Sequence, residues 1–189
     1  MIAAVVLAAG ASTRLGEPKQ LAMLAGETLL ERAVRTAREA GCEPVVVVLG
    51  AAHVEVLAGM FGTLGDAIPV INDKWEEGMA SSIRLGVRTL GSVAKDAEGV
   101  LLMTCDQPAV TVEHLRLVTA RQEVKASRYA ERNGAPAYFP KKYFKELMAL
   151  TGDAGAKGLL AKARSEELEH GDLDIDTPED LARARELFG

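Results

Sequence analysis

Four short apolar runs set the rhythm of the first half of the chain: Ile2–Ala8, Pro44–Leu49, Ala67–Ile71 and Val100–Thr104. Each is too short for a buried helix, and Val or Ile recurs in most of them. That is the pattern of strands covered on both faces. Between them the apolar period changes. In Glu27–Ala40, Leu30, Ala33, Val34 and Ala37 fall on one face of a helix. Thr28 with Glu31 supplies a capping box, and Gly41 a stop. His53–Phe61, Ser82–Leu90 and Val112–Arg121 read as further helices. Strands alternating with helices predict an α/β fold, a three-layer α/β/α arrangement around a mostly parallel sheet.

The second half is less regular. Val124–Tyr129 and Ala135–Phe139 are strand-like, and Glu131-Arg132-Asn133-Gly134 between them predicts a reverse turn and an antiparallel pair. Helices are expected at Lys141–Leu150 and Ala154–Ala163. The last helix has a well-marked start, with Thr177 as cap, Pro178 at the first helical position and Asp180 three residues after the cap.

A length of 189 residues predicts one domain spanning residues 1–189. With 48% hydrophobic and 26% charged residues, the chain can bury a core without disulfides or a structural metal. The net charge of -5 and an aromatic content of 4% argue against a nucleic-acid partner. Cys42 and Cys105 make no disulfide framework, and no Cys/His set has zinc spacing, so a cytoplasmic protein is expected. Ile2–Ala11 is apolar but lacks a basic leader and is too short to cross a bilayer, so no membrane partner is expected either.

Chemistry concentrates in a few segments. After the first strand comes a loop of small residues, Ala8-Ala9-Gly10-Ala11-Ser12, followed by the cations Arg14 and Lys19. Small residues let backbone N–H groups approach a phosphate, and ligands of open α/β sheets bind beyond the carboxyl ends of the strands. Neither GxxxxGKS/T nor GxGxxG is present, which excludes a P-loop and a dinucleotide fingerprint. Asp106 ends the fourth strand on the same sheet edge. It reads either as a ligand for a hard cation or as a turn-forming carboxylate. In Asp172-Leu173-Asp174-Ile175-Asp176 three carboxylates alternate with apolar residues and, as a strand, would share one face. Asn72–Ile83 leads from strand to helix, with Gly78 allowing close approach and Ser81 and Ser82 near a helix N-terminus. Trp75 and Cys105 read as packed residues.

The run Leu7 to Leu21, of the form LAAGxSxRxGxPKxL, resembles the signature of nucleotidyltransferases with a MobA-like NTP-transferase domain. Asn72–Ile83, Cys105–Pro108, Gly152–Lys157 and Asp174–Leu181 follow in the family's order, and the combination is most similar to the molybdenum cofactor cytidylyltransferase branch. The resemblance implies a Rossmann-like, GT-A-like fold with a mostly parallel mixed sheet. It implies that Leu7, Ala8, Ala9 and Gly10 hold a nucleoside triphosphate whose phosphates meet Arg14 and Lys19, with Gly78, Ser81 and Ser82 at base and ribose. It places Mg²⁺ on Asp106 and Asp176, with Asp174 in reserve, and implies attack by a molybdopterin phosphate on CTP with loss of pyrophosphate. Leu7, Ala8, Ala9 and the run Pro18-Lys19-Gln20 resemble the cytidine-preferring version, whereas Gly-Gly in place of Ala9-Gly10 would resemble the guanine-using relatives; a smaller pocket, in which Ala9 would crowd a purine, agrees with CTP. A molybdoenzyme that receives the finished cofactor is the implied protein partner. Lys125, Arg128, Arg132, Lys141, Lys142, Lys145 and Lys157 make the second half locally basic, which suits an anionic acceptor, although most of them read equally as scattered cations on solvated helix faces. Ala135 departs from the family, many members of which carry His there. The alternatives are a guanylyltransferase, a transferase to a sugar phosphate or other metabolite, and a non-catalytic chaperone for the molybdenum cofactor.

Overall fold

A computed structural model describes residues 1–60, 62–161 and 163–189. A seven-stranded sheet runs through the centre in the order β5-β4-β1-β6-β8-β7-β9. These strands are β1 (Ile2–Ala8), β4 (Cys42–Leu49), β5 (Ile68–Ile71), β6 (Gly99–Thr104), β7 (Lys125–Tyr129), β8 (Arg132–Pro140) and β9 (Arg164–Glu167). Only β8 runs against the rest: it pairs antiparallel with β6 and β7, whereas the other ladders are parallel. A small antiparallel hairpin, β2 (Met23–Leu24) with β3 (Glu27–Thr28), stands apart from the sheet.

The apolar runs explain the layers. Successive side chains of a strand point to opposite faces. Ala4, Val6, Val47, Leu101 and Met103 therefore pack on one side, under α1 (Leu29–Glu39), α2 (His53–Gly59) and α4 (Val112–Thr119). Ala3, Val5, Val46, Val48, Val100 and Leu102 pack on the other, under α3 (Met79–Val93), α5 (Phe144–Met148) and α6 (Lys157–Leu160). A third cluster joins Leu15, Leu24 and Leu29 to Leu173, Ile175 and Leu181, and so fixes α7 (Pro178–Phe188) against the loop after β1. Both expected capping boxes form, Thr28 with Glu31 and Thr177 with Asp180. Gly41 ends α1 at φ +91°.

The second half corrects several expectations. The antiparallel pair exists, but its turn is Ala130-Glu131, both at positive φ, and Asn133-Gly134 lies inside β8. A register shift opposite Ala126 and Ser127 absorbs the Ala135-Pro136 step. The expected helix Lys141–Leu150 is a 3₁₀ turn followed by the short α5, and Ala154–Ala163 yields only α6. Phe61 and Lys162, included in two expected helices, lie outside the described residues. β9 went unread because Arg164-Ser165-Glu166-Glu167 is polar, as an edge strand can be. Asp172–Asp176 is a loop that begins in a turn, not a strand. Its alternation reflects Leu173 and Ile175 entering the third cluster rather than pairing in a ladder.

Candidate active site

The chain leaves β1 toward β4 and β5, then returns to β6 on β1's other flank. That reversal opens a crevice beyond the carboxyl ends of β1 and β6. Leu7 pairs with Thr104, so the small-residue loop and Asp106 emerge side by side. The loop is tied from within. Buried Gln20 donates from Nε2 to the carbonyls of Ala8 (2.6 Å) and Gly10 (3.3 Å), and the amide of Lys19 donates to Ser12 Oγ (3.0 Å). Among the described residues, the N–H groups of Gly10, Ala11, Ser12 and Thr13 have no protein acceptor. They are free for an anion.

Lys19 is the centre of the site. Its Nζ donates to Asp106 Oδ2 at 2.8 Å and to Asp176 Oδ1 at 2.6 Å. Arg14 Nη2 donates to the other oxygen of Asp176 at 2.7 Å. Burial alone would lower the Lys19 pKa, but the two carboxylates more than reverse this and hold it above the ordinary lysine value. Asp174 stands behind the pair. Burial first, then the charges of Asp106 and Asp176, push its pKa up to about 6. Two devices bring the distant carboxylates in: the amide of Ile175 donates to the Asp106 carbonyl (2.9 Å), and Asp180 accepts from the amides of Asp176 (3.2 Å) and Thr177 (2.8 Å). The helix cap is therefore also a clamp on Asp176. Burial would raise the Asp180 pKa, but the hydrogen bonds from Thr177 and the Asp176 amide outweigh it and leave it lowered. Asp180→Ala is expected to cost about 1 kcal/mol of stability at pH 7. Because the fold favours the ionised form, the deficit should be full above the ordinary aspartate range and close as pH falls below it. Denaturation of both proteins across pH 2–7 checks this.

A cavity of about 560 Å³ lies over the loop, bounded by Ala9, Gly10, Lys19, Trp75, Ser82 and Asp106. Leu7, Ala8 and Gly78 also line it, whereas Arg14 and Ser81 do not. Ser81 is buried, accepts from Asn72 Nδ2 (2.8 Å) and donates to the carbonyls of Lys74 and Gly78 (2.9 and 2.8 Å), so its hydroxyl is committed to the fold. Arg14, with a side chain 69% exposed, reaches the site only through Asp176. Gly78 lines this cavity, and Gly50 packs against Ala9 and Trp75, two of its lining residues. A Cβ on Gly50 would stand 2.5 Å from the Ala9 carbonyl and 2.8 Å from Trp75 Cβ. Gly78 has φ +97°, and a Cβ there would meet Asp153 Cα and the Gly152 carbonyl at 2.8 Å.

A second cavity of about 620 Å³ adjoins the first, sharing Leu7, Met79, Thr104 and Asp106. Leu102, Ala137 and Phe139 contribute apolar wall; Arg132, Lys157 and Asp174 contribute charge. Of the seven basic residues singled out on this side, Arg128, Arg132 and Lys157 line it. Arg128 is paired with Glu131 and Glu167, and Lys125 is buried against Glu166. Lys141 donates to the Lys95 carbonyl, far from the cavity. Asn133 donates to the carbonyls of Leu160 and Ala163, and its buried Oδ1 has no partner among the described residues. Gln107 braces the wall between β6 and β7: its Oε1 accepts from Thr104, and its Nε2 donates to the Tyr129 hydroxyl and the Gly171 carbonyl. Ala135 also lines this cavity.

Among the described residues no three His, Cys, Asp or Glu side chains form a ready-made metal cage. Two carboxylates converging on one point, with the rest of the shell left to ligand and water, do fit a hard divalent cation such as Mg²⁺ or Mn²⁺. Cys105 is buried at the edge of the first cavity, and burial, reinforced by Asp106, pushes its thiol pKa up, so it packs rather than reacts. Asn133, expected only in a turn, lines the second cavity, and Gln20 and Asp153, expected only as parts of the Pro18–Gln20 and Gly152–Lys157 segments, line the first. The signal for Gln20 was a polar residue that has to be buried beside a loop.

Paired carboxylates beside a cation are thus set at the switch point of a mostly parallel sheet and face two adjoining cavities. The profile of the MobA-like NTP transferase domain matches residues 4–169, and the chain belongs to that family, a family of nucleotidyltransferases. It is 31% identical to the purine catabolism protein PucB of Bacillus subtilis, covering 96% of this chain and 94% of the relative. It is 32% identical to the nicotine blue oxidoreductase of Paenarthrobacter nicotinovorans over 84% and 81% of the two chains. Among solved structures, Rv0371c of Mycobacterium tuberculosis superposes with a TM-score of 0.83 at 35% identity, covering 98% of this chain and 97% of that one. The same protein has also been solved in complex with manganese, with a TM-score of 0.76 at 33% identity and 98% of each chain covered. Among the described residues, no helix is long and apolar enough to cross a membrane.

Proposed function

We propose that the protein transfers CMP from CTP to a phosphate of molybdopterin and releases pyrophosphate. The observation that carries this reading is the Lys19 ammonium held between Asp106 and Asp176 where the two cavities meet. The first cavity would take the nucleotide. The free amides after Gly10 and the Lys19 ammonium would face its phosphates, and Ala9, Trp75, Gly78 and Ser82 would bound the base and ribose. The second would take the acceptor. Arg132 and Lys157 would meet anionic groups, Asn133 Oδ1 an amino or hydroxyl donor, and Phe139 and Leu102 the ring body.

An acceptor phosphate oxygen would form the new bond to the α-phosphorus as the bond to the β-phosphate oxygen breaks, the electron pair leaving with pyrophosphate. Asp106 and Asp176 would hold Mg²⁺, which when bound neutralises charge on the triphosphate. Lys19 would offset charge on the leaving group, and Arg14 would keep Asp176 aimed at the centre. No side chain needs to form a covalent intermediate, and rate would come from positioning and electrostatics. The Paenarthrobacter relative is named for redox chemistry. A cation-rich phosphate loop without a dinucleotide fingerprint favours nucleotidyl transfer for this chain.

Trp75 is the sole tryptophan and lines the nucleotide cavity, so its fluorescence reports occupancy. CTP with Mg²⁺ is expected to quench it and raise the melting temperature, whereas GTP, ATP and UTP do neither. At a hundredfold excess over Kd, stabilisation should be about 2.7 kcal/mol. A response to GTP instead would move the reading to guanylyl transfer, and no response to any nucleotide would favour the non-catalytic chaperone.

A further inference from the structure

Asp106 and Asp176 are separated by 70 residues in sequence yet hydrogen-bond to one nitrogen atom, Lys19 Nζ, at 2.8 and 2.6 Å. The ammonium therefore lies on the point toward which both carboxylates aim. Its side chain is 12% exposed and those of its partners 18% and 33%, so water does little to weaken the contact. A divalent cation ligated by the same two oxygens needs that point, and a like charge cannot remain beside it.

We infer that Lys19 is a built-in occupant of the divalent-cation site, so that metal is admitted only together with a polyphosphate that gives Lys19 a new partner. This rests on the assignment of Asp106 and Asp176 above and concerns how that site is filled. The geometry supplies the route. The backbone of Lys19 is pinned by its amide bond to Ser12 Oγ and by the neighbouring Gln20 clamp on Ala8 and Gly10. The exchange is thus a swing of one flexible side chain. Lys19 also lines the nucleotide cavity, beside the unpaired amides of the loop, so a bound triphosphate falls within the arc of that swing. Free metal brings no anionic partner for the displaced ammonium, whereas a polyphosphate does. Arg14 bonds only Asp176, from the solvent side, and does not occupy the shared point.

The test uses Mn²⁺ alone, its binding read by loss of the free-ion electron paramagnetic resonance signal, with no nucleotide present. Lys19→Met is expected to bind Mn²⁺ at least about tenfold more tightly than the wild type and to gain melting temperature when Mn²⁺ is added, which the wild type does not. Arg14→Met removes one positive charge without vacating the point and should change affinity by less than about threefold. Lys19→Gln, which keeps a donor for one carboxylate, serves if Lys19→Met is poorly folded, and should show the same sign. Equal Mn²⁺ affinities in the wild type and both Lys19 variants overturn the inference. So does an Arg14→Met gain as large as that of Lys19→Met, which would reduce the effect to net charge. Failure of every protein, including the variants, to bind Mn²⁺ would overturn the metal assignment of Asp106 and Asp176 itself.

Discussion

Asp106→Asn is expected to reduce turnover by about 10³-fold while leaving the protein folded. The amide is nearly isosteric with the carboxylate but contributes no charge to a cation and is a weak ligand for Mg²⁺. Little else depends on that charge. The Asp106 side chain has a single charged partner, Lys19, which keeps Asp176. The backbone link that matters to the fold, Ile175 amide to Asp106 carbonyl, survives the change. The pair is largely buried, but Lys19 keeps Asp176 and the amide can still accept its hydrogen bond, so the stability cost should be about 1–3 kcal/mol. Nucleotide binding should persist, since the loop and Lys19 remain, so the loss should fall on kcat rather than on the KM for CTP. Near wild-type turnover, with thermal unfolding unchanged, would remove Asp106 from the metal site.

Lys19→Met should be nearly as damaging but differ in kind. Here the lost group acts on phosphate, so turnover is expected to fall by about 10²–10³-fold and CTP affinity to fall with it. The stability signature is also distinct. Lys19 titrates above the ordinary lysine value because Asp106 and Asp176 outweigh its burial. Its contribution is thus constant at neutral pH and is lost only as pH rises past the lysine range. Without it, Asp106 loses its charged partner and faces Asp176, which keeps only Arg14, and the variant should lose stability between pH 5 and 8 relative to the wild type. Lys19→Arg should restore stability better than turnover, because a planar guanidinium can bridge carboxylates but does not reproduce the compact ammonium. A Lys19→Met enzyme with full kcat would contradict the role assigned to this residue.

Sequence carried the fold where the chemistry of burial is strict. β1, β4 and β6 are covered on both faces, so their runs had to be apolar; β5, at the edge, leaves Pro69 and Ile71 exposed and is not covered on both faces as expected, yet each of the four runs falls on a strand. The two capping boxes were equally legible, because a helix start demands side-chain acceptors at fixed spacing. The edge was not. β9 pairs on one side only and is built of Arg, Ser and Glu, which periodicity cannot separate from a loop. Asn133-Gly134 misled because a strong turn dipeptide sits within β8, its amide bonded to the carbonyls of Leu160 and Ala163, while the unremarkable Ala130-Glu131 makes the turn.

The same contrast holds at the candidate site. The loop, Lys19 and Asp106 follow directly from strands that end side by side, and a local motif captures them. Asp176 arrives from the far end of the chain. Alternation alone left it level with Asp172 and Asp174, and only the resemblance and then the Lys19 contact single it out. Ser81 shows the converse. Its hydroxyl has the type and position of a ligand group, but Asn72, Lys74 and Gly78 use it up. Residue type and spacing report what a side chain offers, whereas its hydrogen-bond partners decide whether anything is left to offer.

The measurement that tests the central claim most directly is pyrophosphate release from CTP in the presence of Mg²⁺ and purified molybdopterin. The expected result is stoichiometric pyrophosphate, dependent on both metal and acceptor, absent with Asp106→Asn, and not matched by GTP, ATP or UTP. Release with GTP but not CTP would contradict the assigned base, release from CTP only with other phosphorylated acceptors would contradict molybdopterin, and no release from any nucleotide would contradict nucleotidyl transfer.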